Sequence, residues 1–250
     1  CWPNILILTT QVKFIMTELN IYGQTLGKEL PDWQPHALPQ KVILRGKYCY
    51  LEPIDVKHSR DLFDAWHSID DERDWTYFHI KRPVTIKQCD YYIASLAASK
   101  DPIFYAVINI STGKAVGFLA LQRMDPDNGS VEIGWINWSP LMKRTFCSTE
   151  AIFLLLYYVL ETLRYRRCGW KCDSLHEAAI SAAERLGFTY EGTLRQTQVS
   201  KGHSRDVRWY SIIDSEWDGI RQAMELWLSP SNLDERRKQK HRLAEFMPHL

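Results

Sequence analysis

Apolar and polar positions recur along the chain with two periods, and these separate its strands from its helices. Residues 42–54 read as a strand. In 56–68, Leu62, Phe63 and Trp66 recur at helical spacing and predict a helix, and a second helix is predicted over 86–99. Strands follow at 103–109, 115–123 and 130–137, separated by the turn signals Ser111-Thr112-Gly113 and Asp125-Pro126-Asp127-Asn128-Gly129, which predicts an antiparallel meander. The stretch 148–164 opens with an apolar run and reads as a buried helix. It leads into a strand at 167–173 and a short helix at 177–186, with Gly187 as its C-cap. That β-α-β-α passage has parallel character. Strands at 188–198 and 206–214, joined around Ser200-Lys201-Gly202-His203-Ser204, close the body. Trp217, Ile220, Ala223, Met224, Trp227 and Leu228 then keep one face of a last helix apolar.

The ends read differently. Gly23, Gly27, Pro31, Pro35 and Pro39 punctuate an extended arm over 20–40, with Trp33 as its one large anchor. The first fifteen residues are apolar with a single charge at Lys13. They lack the basic start and small-residue cleavage site of a secretory signal, and Met16 is the candidate start. Three parts are expected: an extension and Pro-rich arm over 1–42, one folded domain over 43–218, and a C-terminal helix with a basic tail over 219–250. The tail, with Arg236, Arg237, Lys238, Lys240 and Arg242, reads as solvated.

Composition narrows the function classes. The 31 Lys plus Arg nearly balance the 30 Asp plus Glu, so no global field favours nucleic acid. The longest apolar run in the body, 151–160, is well short of the roughly 20 residues that span a bilayer, so no membrane role is expected. None of the six cysteines forms a Cys-x-x-Cys pair. Cys168 and Cys172 would lie about 13 Å apart along one strand, too far for a disulfide. Reduced thiols, a cytoplasmic or nuclear setting, and no metal site are the expectation.

The chemistry is sought where Met142 to Ala151 runs into the apolar helix. Such a loop leaves backbone N–H groups unpaired at the helix start, with the positive end of the dipole behind them, and that end binds pyrophosphate. Lys143 and Arg144 add cations, and Ser148 and Thr149 are N-cap residue types. Cys147, at the helix start beside Arg144, is expected to have a lowered thiol pKa, with alkylation there blocking the anion site; a buried inert Cys is the alternative.

The meander, the basic loop entering a helix, the next strand, and the short helix ending Ala182-Ala183-Glu184-Arg185-Leu186-Gly187-Phe188 together resemble the GNAT N-acetyltransferase superfamily, its RimJ/RimL-like branch in particular. Glu132-Ile133-Gly134-Trp135, Arg144-Thr145 before Thr149-Glu150-Ala151, Trp170-Lys171-Cys172-Asp173, Glu191-Gly192-Thr193 and Ile213-Asp214-Ser215-Glu216-Trp217 carry the resemblance, which covers roughly 20–217. It implies an α/β fold with a mixed, mostly antiparallel sheet, splayed at the cofactor site and flanked by helices. It also implies acetyl-coenzyme A (acetyl-CoA) as co-substrate between strands 132–137 and 167–173, with no metal. The residues so implicated are Trp135, Ile136 and Asn137 on the strand, Lys143, Arg144, Thr145, Phe146, Cys147, Ser148 and Thr149 at the loop, and His176 and Ala179 near the short helix. Against the family pattern Arg/Gln-x-x-Gly-x-Gly/Ala, Cys147 and Thr149 stand where small residues are usual, and His176 and Ala179 replace the usual Asn and Ser. Side chains at the first two positions are expected to weaken binding or shift its pose.

Acetyl transfer needs a neutral amine, a polarised carbonyl and a proton for the departing thiolate. The resemblance implies direct attack, with a backbone N–H near Trp135 to Asn137 polarising the carbonyl. Alternation puts Glu132 on one face with Gly134 and Ile136, and it is the candidate base or water-holding carboxylate. An exposed strand-edge Glu is the equal alternative. Tyr190 and Ser181 are the candidate acids, and Trp75, Tyr77 and Trp138 a candidate aromatic wall for the acceptor, each otherwise a core residue. The run Asp70, Asp71, Glu72, Asp74 reads as a solvated loop or a lure for a cationic acceptor. The leading function is N-acetyl transfer to a primary amine, on a protein N-terminus or a small molecule, by a monomer or homodimer. The alternatives are a coenzyme-binding protein with little or no catalysis, and a succinyl-type acyltransferase with Lys171 as the cation for the acyl end.

Overall fold

The computed structural model describes residues 18–236 and 238–248. The candidate start at Met16, the apolar leader and Arg237 of the tail lie outside them. The chain divides into two compact units, residues up to Gln34 and residues from Pro35 onward. In the first unit the expected extended arm begins instead as a small antiparallel hairpin, β1 (Glu18–Leu19) with β2 (Thr25–Leu26). Its turn is held by Asn20, whose Oδ1 accepts the N–H groups of Tyr22 and Gln24 at 2.9 and 3.0 Å.

The second unit is an eight-stranded sheet covered by helices on both faces. Its strands are β3 (Leu44–Arg45), β4 (Cys49–Pro53), β5 (Ile103–Asn109), β6 (Lys114–Asp125), β7 (Ser130–Trp138), β8 (Arg167–Asp173), β9 (Thr189–Ser200) and β10 (His203–Ile213). The spatial order is β3-β4-β5-β6-β7-β8-β10-β9, and among the paired strands only β7 and β8 run parallel. One face packs on α3 (Phe146–Leu156), α4 (Glu177–Arg185) and α5 (Asp214–Trp227) through Val131, Ile133, Ala151, Leu155, Trp170 and Ile220. The other carries a separate core under α1 (Ser59–Trp66) and α2 (Ile86–Ala98), built on Leu62, Ile93, Phe104 and Phe118.

Most elements fall where the periodicity put them, and three differ. The strand expected over 42–54 is a hairpin, because Glu150 of α3, only 2% exposed, reaches into its turn. Its Oε1 accepts the N–H of Lys47 at 2.7 Å, and its Oε2 those of Tyr48 and Cys49 at 2.7 and 2.8 Å. Gly46 is required there, since a Cβ would lie 2.4 Å from the Glu150 carboxyl carbon. The helix expected to start at Ser148 starts at Phe146, with Thr145 in the N-cap position, and its last part, Tyr157–Thr162, widens into a π turn. The closing strands run further than expected, to the two-residue turn Lys201-Gly202, whose φ values of +51° and +81° match the right-handed twist of a tight hairpin. Gly187 ends α4 as expected. Its φ is +88°, and the N–H groups of Gly187 and Phe188 return to Glu184 and Ala183 at 3.1 and 3.0 Å.

Candidate active site

The pairing of β7 with β8 runs only from Ser130↔Arg167 to Ile133↔Trp170. From Gly134 onward the β8-facing edge of β7 has no ladder partner, and the sheet opens into a wedge. On its other edge β7 stays paired with β6, but Phe118↔Asn137 is followed by Ala120↔Gly134, so one extra residue is accommodated in β7. Trp135 takes up the distortion at a φ of +52°, a region that costs a non-glycine residue about 1 kcal/mol or more. The bulge re-aims the backbone at 135–137, at the mouth of the wedge. The side chains there are engaged elsewhere. Asn137 is buried and its Oδ1 accepts the Trp66 indole N–H at 2.7 Å, while Ile136 packs on the main core.

Glu132 stands just inside the wedge and is 7% exposed, which sets aside the exposed-edge alternative. Its Oε2 lies 3.2 Å from both Gln122 Nε2 and Lys171 Nζ, and Oε1 is 3.8 Å from Arg123 Nε. Gln122 is its register partner across β6, and the Gln122 Oε1 accepts the Trp135 indole N–H at 3.1 Å. One amide thus ties the bulge to the carboxylate. Gly134 makes this possible, because a Cβ there would sit 2.4 Å from Gln122 Nε2. Lys171, the candidate cation for a succinyl group, is committed to Glu132.

At the start of α3 the Thr145 hydroxyl turns back to the Met142 carbonyl at 2.7 Å and caps nothing, which leaves the first-turn N–H groups without a side-chain cap. Arg144, at a φ of +60°, is exposed and makes no ion pair with the described residues, while Lys143 pairs with Asp74. One member of the acidic run therefore serves the basic loop, and Asp71 pairs with Arg73 at 2.6 Å. The two bulky departures from the family pattern point inward: Cys147 and Thr149 are 4% and 1% exposed. Ser148 donates to the Thr145 carbonyl at 2.8 Å, and Thr149 accepts Arg185 Nη2 at 2.8 Å, so neither caps the helix. Phe146 stacks on Tyr48 with ring centroids 4.6 Å apart. The Cys147 thiol is pulled below its ordinary value, as expected in direction. The leading cause is its hydrogen bond with the Cys49 thiol, whose own pKa is pushed up, and not Arg144. Arg185 was not singled out from the sequence, since a lone Arg at a helix end carries no signal of what it will touch.

Segment 72–80 forms one wall of the wedge. The Tyr77 ring stacks on His176 at 4.2 Å and its hydroxyl donates to the Leu175 carbonyl at 2.9 Å. The β9–β10 tip reaches the same segment: Lys201 Nζ donates to the Trp75 carbonyl at 2.6 Å, and Arg205 pairs with Asp173 at 3.3 Å. His79 faces Trp135 at 5.9 Å, and burial together with Arg205, Lys171 and Lys201 keeps its pKa below the ordinary value. Burial does the same to His176. Ala179 packs against the main core.

The structure does not bring the rest of the expected set together. Trp75 is 2% exposed in the core under α1 and α2, edge-on to Trp66, and Trp138 packs against the main core, so the three aromatic residues form no common wall. Tyr190 lies on the outermost strand β9, with β10 between it and β8, and its hydroxyl is bonded to Thr193 at 2.8 Å. Ser181 is on the exposed side of α4. Tyr190 is thus set apart from the wedge by β10. Among the described residues no group of three or more His, Cys, Asp or Glu is placed to hold a metal, and no helix is long and apolar enough to cross a membrane.

A mostly antiparallel sheet splayed at its one parallel pair, with a bulged strand on one side and an uncapped helix start beyond it, defines an acyl-transferase architecture. The sequence profile described as "Acetyltransferase (GNAT) domain" matches residues 49–189, more than half of the chain, and the chain belongs to that family. A crystal structure of a GCN5-related N-acetyltransferase from Brucella melitensis is 42% identical and superposes with a TM-score of 0.84, covering 87% of this chain and 99% of that one. Among curated proteins, the putative ribosomal N-acetyltransferase YdaF of Bacillus subtilis is 30% identical over 43% of this chain and 58% of its own length. The ribosomal-protein-serine acetyltransferase of Escherichia coli is 29% identical over 40% of this chain and 56% of its own. The chain thus spans less than two thirds of the curated relatives it matches.

Proposed function

We propose that the protein is an N-acetyltransferase that moves the acetyl group of acetyl-CoA to a primary amine, on a protein N-terminus or a small molecule, by direct attack. The observation that carries this is the wedge between β7 and β8, with the Trp135 bulge at its mouth and buried Glu132 one step inside. The residues fit the co-substrate. The uncapped N–H groups at the start of α3, with Arg144 beside them, suit a pyrophosphate, and the unpaired edge of β7 suits an amide-bearing arm. The co-substrate supplies an acyl carbon activated by a thiolate leaving group. Glu132 takes a proton from the incoming ammonium, directly or through a water, and Gln122 and Lys171 hold the carboxylate in place. The amine nitrogen bonds to the carbonyl carbon as backbone N–H groups at the bulge hold the oxygen. The C–S bond then breaks, and the thiolate takes the second proton that the attacking nitrogen sheds, directly or through water, and leaves as the thiol. That Cys147 and Thr149 pack inward supports the reading that a glycine-poor loop still admits a pyrophosphate.

The test is the melting temperature with and without saturating acetyl-CoA, paired with mass detection of an acetylated amine. Ligand at about 100 times its Kd adds roughly 2.7 kcal/mol, which for a chain of this size raises Tm by about 5–10 °C. No shift with any acyl thioester overturns the reading.

A further inference from the structure

Beside Glu132 the face of the sheet that α1 and α2 leave uncovered opens into a cleft of about 500 Å³, bordered by Arg123, Ser130, Glu132, Arg167, Gly169 and Trp209. That is the size of a small-molecule site. Gly169 keeps it open, since a Cβ there would lie 3.1 Å from Glu132 Cγ.

The charges around it are unevenly committed. Every carboxylate at the cleft already has partners. Glu132 is held by Gln122 and Lys171, and Asp125 accepts the backbone and side-chain N–H groups of Asn128 at 3.0 and 2.7 Å. Behind Arg167, Glu191 accepts two guanidinium bonds at 2.5 and 2.6 Å and a third from Ser211 at 2.7 Å. The donors are not all used. Trp209 Nε1 is enclosed and has no hydrogen-bond partner. The Arg123 guanidinium lies over the Trp209 ring at 5.7 Å, and among the described residues its terminal nitrogens make no hydrogen bond. Its Nε is 3.8 Å from Glu132 Oε1. Glu132 Oε1 therefore stands 3.8 Å from Arg123 Nε, and the Arg123 guanidinium lies over the ring of Trp209, whose Nε1 is an unpartnered donor.

We propose that this cleft receives the acceptor and selects amines that carry a carboxylate a few bonds from the nitrogen, as in a free amino acid or the acidic first residue of a peptide. The inference rests on the acetyl-transfer reading above. The ammonium meets Glu132 Oε1, where it loses its proton, and the carboxylate meets Arg123 and Trp209 Nε1, a charge-assisted pair of bonds. A polyamine is disfavoured on the same ground. Its second ammonium meets Arg123 and Lys171 and finds no carboxylate free to receive it.

The experiment uses the full chain and acetyl-CoA with matched acceptors. These are L-alanine and L-alaninamide, a peptide amide beginning with Asp and its counterpart beginning with Asn, and spermidine. The expected result is a kcat/KM about tenfold or more higher for the carboxylate member of at least one pair, the size of a lost charge-assisted hydrogen bond, with spermidine poorest. Arg123→Gln and Trp209→Phe, the latter keeping the ring and removing the donor, should each shrink that preference while leaving the Tm shift with acetyl-CoA in place. Which pair responds tells a free amino acid from a peptide terminus. Equal rates within both pairs, a preference for spermidine, or a preference that survives both substitutions overturns the inference and leaves acetyl transfer standing. No acetylated product from any amine, despite a Tm shift with acetyl-CoA, overturns both.

Discussion

Replacing Glu150 with alanine should cost this protein about 4 kcal/mol. The carboxylate is 2% exposed and accepts three backbone N–H groups of the β3–β4 turn, at 2.7, 2.7 and 2.8 Å. The three do not weigh equally. Lys47 is exposed, so its N–H turns to water at little cost, while Tyr48 is half-buried and Cys49 fully buried. An orphaned buried N–H costs about 1–3 kcal/mol, so Cys49 accounts for roughly 2–3 and Tyr48 for roughly 1. The cavity left by one methylene and a carboxyl adds a little more. For a chain of this size that is a fall in Tm of about 8–15 °C, or a matching loss in urea unfolding free energy with an unchanged m-value. Glu150→Gln keeps the shape and one oxygen but turns an NH2 group toward N–H donors, and should fall in between. Gly46→Ala, whose Cβ would meet the Glu150 carboxyl at 2.4 Å, should destabilise wild type more than it destabilises Glu150→Ala, because the clash partner is then gone. A loss of less than about 1 kcal/mol in Glu150→Ala would refute the view that this carboxylate builds the turn.

Three further outcomes follow from the same geometry. His79 and His176 are held neutral by burial, so their folded pKa values lie below the unfolded value of about 6.5. The unfolded chain then binds protons first, and stability present above pH 6.5 should fall as pH drops through the folded values, a slope that His176→Gln reduces in a pH series of Tm. Cys147 should resist a maleimide in the folded protein despite its lowered pKa, since it is 4% exposed; labelling as fast as in urea would contradict that burial. Gly134→Ala should displace Gln122 from Glu132 and lower kcat by about tenfold or more with a stability loss near 1 kcal/mol. Unchanged kcat would mean the amide does not position the carboxylate.

The central strands and α4 were legible because each is marked locally, by alternation between turn signals or by Gly187 at a helix end. What could not be read was decided at a distance. Nothing between residues 42 and 54 announces a hairpin held by Glu150, about a hundred positions away. Thr145, Ser148 and Thr149 are all N-cap types, and Thr149 was drawn inside by Arg185 from another helix. Trp75 and Tyr77 sit two positions apart, yet one is core and the other stacks on His176. The position of Glu132 on its strand was legible because the strand is marked locally, whereas Gln122 and the Trp135 bulge depend on the register with β6, which a single strand does not carry.

The central claim is that buried Glu132 at the closed end of the wedge serves proton transfer while the coenzyme binds on other residues. The measurement that tests it most directly is Glu132→Gln, with acetyl transfer and acetyl-CoA affinity determined on the same preparation. The account predicts a fall in kcat of about a hundredfold or more with Kd for the coenzyme within about threefold of wild type. A kcat within about fivefold of wild type, or a loss of coenzyme affinity matching the loss of rate, would contradict it.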